Sequence, residues 1–136
     1  MKTIIFACVH SAGRSQMAAA WFNALVDPAQ GRAIAAGTQP GDRVHPVVVE
    51  AMKEVGIDLS SAKPQRLTEA LVATAAALIT MGCGESCPVA PPEVRRDDWE
   101  LADPKGLPIE QVREIRDDVR GRVAALLDRE GWTRRP

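Results

Sequence analysis

The chain has 136 residues, 17 basic and 18 acidic, with a formal net charge of −1. That length predicts one domain able to bury roughly two-thirds of its unfolded surface, so neither a disulfide nor a metal staple is required. The charge balance argues against the basic footprint of a nucleic-acid or membrane-surface binder, which leaves a small, mobile ligand as the expectation. The longest uncharged stretch, Ala70–Gly84, is too short and too punctuated to cross a bilayer. The N-terminus carries one Lys and a short apolar run without a small-residue cleavage site, so no secretory signal is expected. Three cysteines are an odd number for an exported protein, and a cytoplasmic setting with thiols kept reduced suits them better.

In chain order, Thr3–Ala7 is a short β-rich apolar run. From Arg14 the residues Met17, Ala18, Trp21, Phe22 and Leu25 recur at helical spacing until Asp27-Pro28 stops them. Arg32–Gly37 reads as a second strand. After the Pro40-Gly41 turn, Val44, Val47, Val48, Ala51, Met52 and Val55 mark a helix closed by Gly56, with Pro46 tolerated in its first turn. A helix end then precedes a third strand, Ala76–Met81. Gly82–Arg96, with Pro88 and Pro91-Pro92, reads as a mobile loop. Asp98–Leu101 reads as a short fourth strand. From Pro108 the residues Ile109, Val112, Ile115, Val119, Val123, Leu126 and Leu127 give one apolar stripe on a long charged helix that packs on the core. The domain is expected over 1–131, with 132–136 a frayed tail. Strands alternating with helices over short connections predict an α/β fold with a parallel sheet covered on both faces and ligands at the carboxyl ends of the strands.

Chemistry is specified by the run Cys8-Val9-His10-Ser11-Ala12-Gly13-Arg14-Ser15, placed between the first strand and the first helix. A cysteine and an arginine separated by five residues on such a turn make a loop whose backbone N–H groups can converge on an oxyanion. Unpaired amides and the helix dipole at a helix N-terminus, beside a fixed cation, favour a thiolate over a thiol. The same amides bind tetrahedral anions, and Arg14 can add a two-pronged contact. Gly13 and Ala12 keep bulk out of the loop, and Ser15 can donate its hydroxyl to the sulfur. The plainer alternative, a buried thiol at a strand end and an ordinary surface arginine, fits a lone cysteine better than this strand-loop-helix context.

Cys83-Gly84-Glu85-Ser86-Cys87 follows the third strand. Two thiols four positions apart on a glycine-containing loop can form a disulfide, which makes the loop a redox candidate. Half of a zinc site is one alternative, although the remaining ligand candidates are only His10, His45 and Cys8; two inert buried thiols are another. Asp103-Pro104 comes at the end of the fourth strand. Alone it is an ordinary turn opener. Near a bound anion, like-charge repulsion favours the protonated carboxyl, which suits a general acid for a departing hydroxide.

These residues resemble the arsenate reductases built on the low-molecular-weight protein tyrosine phosphatase fold. The resemblance runs along nearly the whole chain: the loop continued as Arg14-Ser15-Gln16-Met17-Ala18, then Ala36-Gly37-Thr38, Arg43-Val44-His45-Pro46, Val55-Gly56-Ile57-Asp58, Ile79-Thr80-Met81-Gly82-Cys83, Asp103-Pro104-Lys105-Gly106 and Val112–Asp117. It implies a single domain with a four-stranded parallel sheet in flavodoxin-like order, and arsenate as substrate, with phosphate or sulfate as mimics. It implies that Val9 to Ser15 bind the oxyanion, that Cys8 attacks arsenic and that Asp103 protonates the leaving hydroxyl. Cys83 would then form a disulfide with Cys8 and release arsenite, and Cys87 would carry the oxidation to a surface where thioredoxin reduces it. A small thiol such as mycothiol or glutathione is the alternative reductant. Only three residues separate Cys83 from Cys87, fewer than in the thioredoxin-coupled relatives. Ser11 and Ala19 stand where a potassium-binding branch carries an asparagine and an acidic residue, so no potassium site is expected, and no metal or cofactor. A monomer is expected. The phosphatase alternative shares the loop. This chain, however, has no tyrosine, and only Lys105-Gly106 follows Asp103-Pro104, where such phosphatases resemble one another in carrying aromatics.

Overall fold

The computed structural model describes residues 1–81 and 93–134. Four strands, β1 (Lys2–Cys8), β2 (Gly31–Gly37), β3 (Ala77–Thr80) and β4 (Arg95–Asp98), form one sheet in the order β2-β1-β3-β4, every pairing parallel. The helices are α1 (Arg14–Leu25), α2 (Pro46–Lys53), α3 (Glu69–Ala73) and α4 (Ile109–Glu130).

β1 is apolar throughout its second half because it is covered on both faces. Ile4, Phe6 and Cys8 point into a large core that also holds Met17, Trp21 and Phe22 of α1, Val48 and Met52 of α2, and the stripe Val112, Val119, Val123 and Leu127 of α4. Ile5 and Ala7 point the other way, into a smaller core with Leu67, Val72 of α3, Leu78 and Val94. This is the pattern of a central parallel strand. It leaves Cys8 at the carboxyl edge, paired with Gly37 of β2.

α2 begins at Pro46, whose missing N–H costs nothing in the first turn, and Gly56 follows with a positive φ of 82°. α2 and α4 are joined through Glu54, whose carboxylate accepts from Arg113 at 2.6 Å and from the buried Arg116 at 2.8 Å. The Arg113 guanidinium, helped by Arg116 against the opposing effect of burial, holds the Glu54 carboxyl at about 2, well below its ordinary 4.5. Arg116 also donates to the carbonyl of Ala51 at 2.9 Å.

Two expectations are corrected. The fourth strand lies at Arg95–Asp98, not Asp98–Leu101: all four of its residues are exposed on the sheet edge, and Trp99, one residue past it, is buried against Phe6 with ring centroids 5.4 Å apart. The start of the expected tail is tied down. Asp27 donates its N–H to the Trp132 carbonyl at 2.7 Å, Arg134 to that of Leu25 at 2.8 Å, and the Trp132 ring meets Phe22 edge-on. Among the described residues no helix is long and apolar enough to cross a membrane.

Candidate active site

The turn from β1 to α1 is held from outside by its carbonyl groups. Six successive carbonyls are engaged by the framework: Cys8 by the Thr38 N–H, Val9 by Gln39, His10 by Gly41, Ser11 by the Gln16 side chain, Ala12 by His45 and Gly13 by Met17, at 2.8–3.3 Å. Among the described residues, none of the N–H groups from Val9 to Ser15 donates to a protein acceptor. Carbonyls turned outward leave the amides to the interior of the loop. Ser11 takes part in this inversion with a positive φ of 52°, the left-handed conformation that with its neighbours makes an anion-binding concavity.

α1 leaves its own positive end free. Its cap is Gly13, which has no side chain to satisfy the first amides, and its first turn contains no acidic residue. Most helices place a capping side chain or a carboxylate there. Here neither is present, so the first amides of α1 have no side-chain partner among the described residues.

The Cys8 sulfur lies 3.1 Å from Ser15 Oγ, which is 3.2 Å from Ser11 Oγ, and all three residues are buried. Arg14 does not extend into solvent. Its guanidinium donates to the Leu101 carbonyl at 3.1 Å and approaches the Asp103 carboxylate at 3.8 Å. Asp103, about half exposed, accepts the Lys105 N–H at 3.0 Å, a local turn that fixes it at the rim. Asp103, distant in sequence and five residues beyond β4, is thereby brought to the edge of the sheet where Cys8 and Arg14 stand. Cys83 and Cys87 lie outside the described residues.

Two glycines mould the loop. A Cβ on Gly37 would stand 2.6 Å from the Val9 oxygen and 2.9 Å from the Ser11 nitrogen, so β2 touches the loop backbone directly. A Cβ on Gly13 would stand 2.6 Å from Pro104 Cγ and 3.5 Å from His45 Cδ2. Burial pushes the His45 imidazole below its ordinary range; Asp103 pulls it back, while Lys105 and His10 add to the downward push. His10 is exposed and its Nδ1 bonds the Gln39 carbonyl at 3.0 Å. Among the described residues no group of three or more His, Cys, Asp or Glu is gathered to hold a metal ion.

From sequence alone, Gly37, Gln16 and the Leu101 carbonyl have no role in the site, and His45 only that of a candidate zinc ligand. A glycine at the end of a strand and a polar residue on the buried face of a helix were the signals for the first two. The other two act through tertiary contacts alone.

Comparison with known proteins places this geometry. A Halobacterium salinarum protein, provisionally named an arsenate reductase, is 40% identical over 129 residues, covering 90% of this chain and 89% of that one. The solved structure of a thioredoxin-dependent arsenate reductase of Corynebacterium glutamicum superposes with a TM-score of 0.79 at 35% identity; it covers 94% of this chain, which spans 61% of that longer one. An arsenate reductase solved in a phosphate-binding state gives a TM-score of 0.81 at 30% identity, over 95% of this chain and 98% of that one. The family model for low molecular weight phosphotyrosine protein phosphatases matches residues 3–131, from the first strand to the end of the last helix, and the protein belongs to that family.

Proposed function

We propose that this protein reduces arsenate to arsenite, with Cys8 as nucleophile. The observation that carries the reading is the ring of amides from Val9 to Ser15, unpartnered among the described residues, around a buried sulfur and closed by Arg14. Relatives named as arsenate reductases, 30–40% identical over nearly the whole chain, supply the choice of oxyanion.

In the proposed reaction the Cys8 thiolate attacks arsenic while the loop amides and the Arg14 guanidinium hold the oxygens. An As–S bond forms and an As–O bond breaks, its electron pair leaving on hydroxide that takes a proton from Asp103. Ser15 donates its hydroxyl to the sulfur whenever that sulfur carries the charge. Cys83 as thiolate then attacks the Cys8 sulfur; the As–S electron pair goes to arsenic, which departs as arsenite reduced by two electrons. The two thiols are left as one disulfide. Attack of Cys87 on Cys83 frees Cys8 and moves the disulfide to Cys83–Cys87, which the dithiol of thioredoxin reduces. Each exchange needs a thiolate and an accessible sulfur. Thioredoxin is the proposed reductant because the Corynebacterium relative is thioredoxin-dependent and because the chain carries both further cysteines. A cytoplasmic location, where thiols stay reduced, goes with that proposal. The extent of the catalytic domain is proposed as 1–131.

The loop of a phosphatase family accepts phosphate as readily as arsenate, so slow hydrolysis of a small aryl phosphate through a phosphocysteine is a second expected activity.

The test is arsenite production measured with thioredoxin and its reductase, and separately with glutathione or mycothiol. Cys8→Ser, which is nearly isosteric, should abolish turnover with every reductant; retained arsenite production rejects the nucleophile. Cys83→Ser should stop after at most one arsenate per enzyme with thioredoxin. Cys87→Ser should lose thioredoxin coupling, whereas unchanged kinetics with small thiols as the better reductant would replace the three-thiol cascade.

A further inference from the structure

Gln16 is a polar side chain buried to 6% exposure on α1, among Met17, Ala18 and Ala19. Such a group is kept only where its hydrogen bonds are made. Its Nε2 donates to the Ser11 carbonyl at 2.9 Å and lies 3.4 Å from Ser11 Oγ and 3.5 Å from the Lys63 carbonyl. Two backbone carbonyls, which can only accept, face that nitrogen. They fix which way the amide is turned, so Ser11 Oγ meets a donor and never the amide oxygen.

From Ser11 the polar contacts continue to Ser15 Oγ at 3.2 Å and from there to the Cys8 sulfur at 3.1 Å. With one end of the row fixed as a donor, only one arrangement satisfies a charged sulfur: a Gln16 N–H shared between the Ser11 carbonyl and Ser11 Oγ, the Ser11 hydroxyl donating to Ser15 Oγ, and the Ser15 hydroxyl to the thiolate. With a protonated sulfur the two hydroxyls turn, and Cys8 donates to Ser15, which donates to Ser11. In that state Ser11 Oγ accepts from both sides and its own proton has no partner in the row. We propose that Gln16 is a positioning residue for the nucleophile: acting through Ser11 and Ser15, it orients a one-way row of hydrogen bonds that favours the thiolate of Cys8 over the thiol, and it pins the left-handed Ser11 turn on which the ring of amides depends.

The inference rests on the proposed role of Cys8 and deepens it. Among the described residues, other charged or titratable groups around the loop are Arg14, His10, His45, Asp103 and Lys105, with Lys63 contributing only its carbonyl to the row. None of their side chains is a hydrogen-bond partner of Gln16, Ser11 or Ser15. A change at Gln16 thus reaches the sulfur through the hydroxyls and leaves the neighbouring charges in place.

The experiment uses the full chain carrying Cys83→Ser and Cys87→Ser, so that Cys8 is its one thiol, and follows the rate of iodoacetamide alkylation against pH, with inorganic phosphate as protecting ligand. In this parent, phosphate should slow the alkylation of Cys8. Gln16→Met keeps the length and removes the donor. Its alkylation curve should move to higher pH, giving a rate about three- to tenfold lower on the acid limb, a change of the size expected from losing one polarised hydrogen bond. Ser11→Ala should move the curve in the same direction. The double variant should move it no further than the larger single change, since both cut one row. Iodoacetamide rates that superpose on the parent's in a folded Gln16→Met protein, or additive shifts, overturn the role of Gln16 and leave the Cys8 reading standing. A parent whose Cys8 is not protected by phosphate overturns the Cys8 reading itself.

Discussion

At the scale of single residues, the site depends on absences as much as on groups. Gly37 has no side chain because the space is filled by the Val9 carbonyl and the Ser11 amide. Gly37→Ala must push the loop backbone away from β2, and backbone cannot rotate aside as a flexible side chain can. The expected cost is about 1–3 kcal/mol of stability. Arsenate turnover should fall by more than tenfold, because a ring of amides displaced by part of an ångström no longer meets the oxygens. Thermal unfolding and arsenite production measured on the same variant check both, and an alanine protein with full activity would contradict the close approach. The Cys8–Arg14 pair was legible in the sequence because the chemistry needs those residue types at a local spacing. Gly37 and Gln16 were not, since each acts on a loop backbone that only the fold brings near.

At the scale of elements, the apolar strands and helices were recoverable from periodicity, with boundaries within a few residues. β4 was not. Its Arg95-Arg96-Asp97-Asp98 carries no apolar residue, since an edge strand with exposed faces has nothing to bury and is protected from further pairing by its charges. The signal was taken instead by Trp99 and Leu101 beyond its end, the first of which donates its N–H to the Thr80 carbonyl at 2.8 Å and packs on Phe6.

The α2–α4 junction makes a different kind of prediction. Glu54 between Arg113 and Arg116 has its carboxyl lowered to about 2 in the folded protein from an ordinary 4.5. A depressed carboxyl stabilises the fold above the unfolded value. That contribution is lost as the pH falls from about 4.5 towards 2. The wild-type melting temperature should therefore drop across this window by more than that of Glu54→Gln, and parallel acid profiles for the two proteins would remove Glu54 from the account.

At the scale of the whole molecule, α1 connects two ends. Its amino end carries the anion loop and its carboxyl end is bound to Trp132 and Arg134, with about 18 Å of helix between them at the usual rise per residue. Ending the chain after Gly131 removes the Phe22–Trp132 ring contact and three backbone hydrogen bonds, those of Trp132 with Asp27 and Leu127 and that of Arg134 with Leu25, worth about 1–3 kcal/mol together. The melting temperature should fall by about 3–10 °C. Arsenate turnover at 25 °C should stay within about twofold of the full chain, because additive behaviour is expected for sites this far apart. A turnover that collapses with the tail would show that the two ends of α1 are coupled.

The order of the strands carries a last consequence. β1 lies at the middle of the sheet yet precedes both of its neighbours in the sequence, with β2 ending at Gly37 and β3 at Thr80. The strand that ends at Cys8 is therefore flanked on both sides only once the chain has been made as far as Thr80, so the edge of β1 that β3 covers stays open through the synthesis of β2, α2 and α3.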